Sequence, residues 1–197
     1  MAKSGMARLS SFRRDKVLEP AYTNAQRSSC VRQLGFYRGS MEYKIRKIKE
    51  NEYGVLKDFL YEAIFIPNGV SAPPKEITDK PELQVYIADF GKRTGDMGLV
   101  AEVKNKIVGA VWVRIMNDYG HIDNDTPSFA VSLYKEYRNY GIGTALMKEM
   151  LNMLDKAGYK QASLAVQKEN YAVKMYKKIG FKVIEENNEE YIMIYKF

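Results

Sequence analysis

Little in this chain is suited to covalent catalysis. Its 197 residues include one cysteine, Cys30, and one histidine, His121. A single thiol excludes an internal disulfide framework and points to a reducing, cytoplasmic setting. Neither residue sits in a motif with a partnered serine, cysteine or histidine, so nothing supports a covalent intermediate formed through a triad. His121, Asp123 and Asp125 share one short loop, but a metal site needs further ligands, and no metal is expected. No apolar run approaches the length of a membrane span, so no membrane partner is expected either. Internal repeats, heptads and low-complexity tracts are also missing.

The formal charge of +7 suggests nucleic acid until it is divided along the chain. Residues 1–40 hold eight Lys or Arg against two acids, a balance of +6, which leaves +1 for residues 41–197. The larger part is almost neutral and has no electrostatic footprint for DNA or RNA. We therefore expect residues 1–40 to be a leader outside the fold, of vector or upstream origin, with Met41 as a second start. An Arg- and Ser-rich transit peptide or a basic arm for an acidic partner are the other readings of it. Residues 41–197 fit one domain, and 46% hydrophobic content is enough for a core.

Periodicity predicts the elements of that domain. Tyr43 to Ile48 alternates like a half-buried strand. Asn51 stands where a helix cap would, before Tyr53, Leu56, Phe59, Leu60 and Ile64 at three- and four-residue steps, with Pro67-Asn68-Gly69 as the stop. A long connection, Val70 to Asp96, holds a second helix over Pro81 to Phe90. Gly98 to Val103, Ile107 to Met116 and Ser128 to Tyr134 read as strands, the first two joined by a tight turn at Lys104-Asn105-Lys106. Ile142, Leu146, Met150 and Leu154 form one helical stripe closed by Gly158, and the strand Gln161 to Val166 then returns parallel. A helix over Asn170 to Ile179 ends at Gly180, and Lys182 to Glu186 pairs with Glu190 to Lys196 in a closing hairpin around Asn187-Asn188. Its edge could pair two copies in a dimer. The sum is a three-layer α/β/α domain with a mixed, largely antiparallel sheet and one central parallel pair.

Between the strand ending at Tyr134 and the next helix lies Arg138-Asn139-Tyr140-Gly141-Ile142-Gly143-Thr144. Two glycines in a strand-to-helix turn let backbone N–H groups approach an anion, and the helix dipole adds positive potential. A triphosphate loop would need Lys-Ser/Thr after the last glycine, and Thr144-Ala145 stands there. A dinucleotide fingerprint would need a glycine at Leu146 and an acid ending the next strand, which instead runs into Gln167-Lys168.

What remains, Arg-x-x-Gly-x-Gly entered from a strand, resembles the GNAT superfamily of acetyl-CoA-dependent N-acetyltransferases. A second motif supports it: Asn170 to Phe181 is similar to that family's segment of Asn, Ala, Tyr and then Gly-Phe. The Asn170-to-Tyr176 interval of six residues is one shorter than in many relatives. The resemblance spans roughly Tyr43 to Phe197.

The resemblance implies that Arg138, Asn139, Tyr140, Gly141, Ile142, Gly143 and Thr144 bind the coenzyme A pyrophosphate, mainly through N–H groups. It implies that Val131, Ser132 and Leu133 splay away from the following strand, leaving a slot in which pantetheine lies as a pseudo-strand and one N–H polarises the thioester carbonyl. Asn170 would hydrogen-bond the coenzyme, and Tyr176 would act as general acid to the departing thiolate. Transfer would be direct attack by an amine in a ternary complex. The acceptor could be a small molecule, a peptide or a protein, and a non-catalytic acyl-CoA-binding module is the alternative. A lysine-like amine has a pKa near 10.4, so keeping it neutral at pH 7 costs roughly 4.6 kcal/mol, and some group must take its proton. Glu102 is the candidate base, with Asp118, Asp123 and Asp125 beside it in consideration.

Overall fold

The computed structural model describes residues 41–197, so the expectations for the leader and Cys30 lie outside the described residues. In chain order the elements are β1 (Lys44–Lys47), α1 (Leu56–Ala63), α2 (Pro81–Gln84), β2 (Met97–Val103), β3 (Lys106–Arg114) and β4 (Ser128–Leu133). There follow α3 (Ile142–Lys156), β5 (Gln161–Gln167), α4 (Ala172–Ile179), β6 (Lys182–Glu186) and β7 (Glu190–Lys196). All seven strands join one sheet in the order β1-β2-β3-β4-β5-β7-β6. Only β4 and β5 pair in parallel; every other neighbouring pair is antiparallel.

Alternation along the central strands sends side chains into two cores, one on each face. Leu99, Ala101, Val111 and Val113 face α3 and α4, against Leu146, Met150, Leu154 and Val173. Val100, Ala110 and Trp112 face the other way, onto Leu56, Phe59 and Leu60 of α1 and Leu83 of α2. Helices thus cover both faces, and the expected three-layer α/β/α architecture is what forms. Trp112 is fully buried, and its indole N–H donates to Tyr86 O at 3.0 Å, so no polar atom of the ring is left unmet. The β2–β3 turn carries positive φ at Lys104 and Asn105, the two-residue hairpin geometry that matches strand twist.

Three helix boundaries differ from the sequence reading, each because a side chain or a distant partner claims a backbone group. The first helix starts as a 3-10 turn over Glu50–Val55, and Asn51 does not cap it. Glu52 reaches back instead to accept the Lys49 N–H at 2.9 Å. The helix expected over Pro81 to Phe90 holds regular α geometry only to Gln84. Beyond it the Val85 and Ala88 carbonyls both accept from Arg114 Nη1 at 2.9 Å, and Asp89 has a φ of 52°, which ends any helix. The last helix begins at Ala172, because Asn170 Oδ1 takes the Ala172 N–H at 2.9 Å and caps it from outside.

Candidate active site

The parallel pairing of β4 and β5 is confined to Ser128 opposite Ser163, with Ser163 N–H donating to Pro127 O at 3.0 Å. Beyond that point the strands run on to Leu133 and Gln167 without pairing, so the sheet opens as a V toward their C-terminal ends. A cavity of about 600 Å³ occupies the opening. Ala130 to Leu133 form one wall and Leu164 to Gln167 the other. The slot expected from Val131, Ser132 and Leu133 is present, although Ser132 turns its hydroxyl away to donate to Phe59 O at 2.6 Å.

At the wide end, the loop after β4 enters α3. Gly141 precedes the helix with φ +83°, a left-handed conformation that suits glycine, and no side chain caps the terminus. The first turn carries no acid. Ala145 N–H already donates to Gly141 O at 3.0 Å, so the N–H groups ahead of it, those of Ile142, Gly143 and Thr144, have no carbonyl within the helix to meet. Gly143 brings the turn against β4: a Cβ there would lie 3.2 Å from Leu133 Cδ1. Asn139, with φ 67°, Gly141, Gly143 and Thr144 all line the cavity.

The side chains of the other loop residues turn elsewhere. Tyr140 is exposed and does not line the cavity. The Ile142 side chain is buried in the core beneath α3, leaving only its N–H for a ligand. Arg138 reaches the cavity wall, but its guanidinium is held by protein: Nε donates to Leu133 O at 3.0 Å and Nη2 to Glu62 Oε2 at 2.9 Å. It ties the end of α1 to the end of β4, and this partner could not be read from the sequence.

Tyr176 and Asn170 come to the cavity from α4 and the turn before it. Tyr176 is 8% exposed and packs edge-on to Phe181. Its hydroxyl makes no hydrogen bond to a described residue, and no buried polar side-chain atom lacks a partner, so that hydroxyl is open to the cavity. Burial, helped by the nearby Tyr171, pushes its pKa above the ordinary tyrosine value, and the phenol stays protonated.

The candidate base read from the sequence is Glu102. It lies on β2 outside the cavity and accepts from Arg46 Nε at 2.9 Å. Arg46 also grips Glu52 at 2.7 and 2.8 Å, holding that carboxyl down to about 2. Glu102 is thus one arm of a peripheral ion-pair cluster. Of the acidic loop, Asp123 and Asp125 are exposed, with Asp123 Oδ1 accepting the Asp125 N–H at 2.9 Å. His121 Nδ1 lies 2.9 Å from Met116 O and donates to it. Among the described residues no cluster of His, Cys, Asp and Glu could hold a metal.

Only Asp118 of that loop turns inward, to the closed end of the V. Its Oδ1 accepts from Ser128 Oγ at 2.9 Å, and Ser128 Oγ lies 3.1 Å from Ser163 Oγ. Tyr86, buried and also lining the cavity, hydrogen-bonds the same carboxyl. Burial raises the Asp118 pKa, offset in part by these two bonds and by His121. Tyr86 was missed in the sequence, where it counts as one apolar position among several; its partner lies 32 residues further on.

The sequence matches the family described as the acetyltransferase (GNAT) domain over residues 56–193. It is 31% identical over 101 residues to the probable N-acetyltransferase san of Drosophila melanogaster, covering 49% of this chain and 53% of that one. To the N-alpha-acetyltransferase 50 of Danio rerio it is 32% identical over 101 residues, covering 49% and 58%. The chain therefore spans about half the length of the curated relatives it matches. The crystal structure of PaiA N-acetyltransferase from Thermoplasma acidophilum in complex with coenzyme A shares its fold, with a TM-score of 0.60 at 21% identity over 80% of this chain and 100% of that one.

Proposed function

Because the chain belongs to the GNAT acetyltransferase family, we propose that it moves the acetyl group of acetyl-CoA to a primary amine by direct attack within a ternary complex. The observation that carries this reading is one cavity lined by an uncapped helix terminus, two strand edges unpaired with each other and a buried phenol. Each part suits one part of the thioester co-substrate. The N–H groups of Ile142, Gly143 and Thr144 meet the diphosphate, reinforced by the α3 dipole. The free edges of β4 and β5 present N–H and C=O groups to the pantetheine amides, as a third strand would. One of those N–H groups polarises the thioester carbonyl.

Tyr176 completes the arrangement by presenting a protonated hydroxyl to the sulfur. Asn170 is occupied by its cap through Oδ1, and its amide N–H₂ is the part directed to the coenzyme. The acceptor enters from the side built from the end of α1 and the residues after it, Ile64, Phe65 and Ile66. Small amines, peptide α-amines and protein lysines are all acceptors to test, and the name of the Danio rerio relative is a reason to test α-amines first.

Isothermal calorimetry with acetyl-CoA and a free-thiol assay against an amine panel test the reading together. Binding with 1:1 stoichiometry and amine-dependent thiol release are expected. No heat with either coenzyme A or acetyl-CoA overturns it. Gly141→Val should weaken coenzyme binding by about 5- to 30-fold. No atom obstructs a side chain there, so the effect is strain of about 1–2 kcal/mol in a left-handed backbone, relieved by turning the N–H groups away from the ligand. Unchanged affinity in this variant would show that the diphosphate lies elsewhere.

A further inference from the structure

The β4–β5 slot closes at the Ser128–Ser163 pair, and the acid bonded to Ser128 is Asp118. It is the one carboxylate of the acidic loop that lines the cavity, which it shares with Tyr176. A thioester lying along β4 with its diphosphate at α3 brings its acyl end toward this closed end. Tyr86 and Ser128 donate to the carboxyl, one from the segment after α2 and one from β4, so the group is oriented from two sides.

Resting on the acetyl-transfer reading above, we propose that Asp118 is the catalytic base, taking one proton from the ammonium group of the acceptor at the closed end of the slot. The step balances as follows. The ammonium gives a proton to the Asp118 carboxylate, which later passes it to solvent. The neutral nitrogen adds to the thioester carbonyl carbon, forming the C–N bond. The C–S bond breaks with its electron pair on sulfur, and the second nitrogen proton reaches that sulfur through the Tyr176 hydroxyl. The products are the acetylated amine and the free thiol of coenzyme A, with one proton released.

Desolvation favours this assignment. A carboxyl at its ordinary pKa of about 3.9 is a poor base for an amine near 10.4, and burial of Asp118 narrows that gap. The groups that face it are Tyr86, Ser128 and His121, and Tyr86 in turn lies near Glu190 of β7 and Tyr119. Among these only Asp118 is a carboxylate lining the cavity.

Asp118→Asn tests the proposal, since the amide oxygen still accepts from Ser128 and the fold is preserved. With n-butylamine, spermidine and an alanine tripeptide as probes, kcat/KM at pH 7 should fall about 100-fold or more while acetyl-CoA affinity stays within threefold. The wild-type profile should level off well below the amine pKa, whereas the variant should climb tenfold per pH unit toward it, because only neutral amine then reacts. Tyr86→Phe removes a bond that lowers the Asp118 pKa, so its acid limb should move to higher pH. Wild-type transfer matched by Asp118→Asn with the same profile overturns the base assignment and leaves the acetyl-transfer reading standing. Acetyl-CoA bound by the wild type without transfer to any probe overturns both.

Discussion

Tyr176→Phe should bind acetyl-CoA as the wild type does, within about twofold, and transfer its acetyl group roughly 100-fold more slowly. The separation follows from where the hydroxyl sits. It makes no hydrogen bond to a described residue, so removing it breaks none of the bonds among the described residues that hold the slot. The ring keeps its packing on Phe181, and thermal stability should be equal or slightly higher, since a polar atom leaves a buried position. In the transition state the balance reverses, because charge builds on sulfur inside a poorly solvated cavity. A hydrogen bond to a charged group contributes about 1.5–3 kcal/mol, which is roughly 10- to 150-fold in rate. A loss in kcat with KM for acetyl-CoA unchanged identifies an interaction made only in the transition state. Equal kcat for the two proteins would remove Tyr176 from the chemistry.

The same phenol predicts an alkaline limit to stability. Tyr176 and Tyr86 both have folded pKa values raised above the unfolded one. Once the unfolded tyrosines ionise near pH 10, the native state binds more protons than the unfolded state, and stability falls as pH rises further. Below that pH both are protonated in both states and contribute no pH dependence.

Asp96→Ala should cost about 3–5 kcal/mol in urea denaturation, a large share of the stability of a domain this size. Arg114, the last residue of β3, is fully buried, and Asp96 is almost so, at 1% side-chain exposure. Two parallel bonds join them, Nε to Oδ1 at 2.9 Å and Nη2 to Oδ2 at 2.7 Å. Asp96 Oδ2 also takes the Gly91 N–H at 2.8 Å. Removing the carboxylate leaves a buried cation with only the carbonyls of Val85 and Ala88. Adding Arg114→Met to Asp96→Ala should recover part of the loss, because the unpaired charge leaves with it. The consequence extends to the site, since Arg114 pins the segment that carries Tyr86 into the cavity. An unfolding free energy within about 0.5 kcal/mol of wild type for Asp96→Ala would show that the loop finds another partner for the cation.

Most of the proposed coenzyme side was legible in the sequence because its signals are local. A positive φ at Gly141 and the β2–β3 hairpin at Lys104-Asn105 depend on residues within a few positions of each other. So does the stripe of α3, whose Leu146, Met150 and Leu154 repeat at the helical period and are all buried. The acceptor side was not legible in this way. Glu102 and Asp118 are both carboxylates near apolar strands, and no local pattern around either shows that one is held by Arg46 and the other turned to Ser128. Arg138 reads as a phosphate ligand beside its glycines, while Glu62, which holds it, lies 76 residues earlier.

The chain's periodicity and its two glycine-bearing motifs were enough to determine a three-layer sheet domain and the position of the glycine turn that enters α3. Helix and strand patterns, turn glycines and dipoles act over one to seven residues and leave their record in order along the chain. The tertiary structure alone decided which titratable groups are withdrawn from water and which partners hold them. Burial and pairing join residues dozens of positions apart, as in Tyr86 with Asp118 and Arg114 with Asp96, and desolvation is a property of the packed surroundings, never of the residue type.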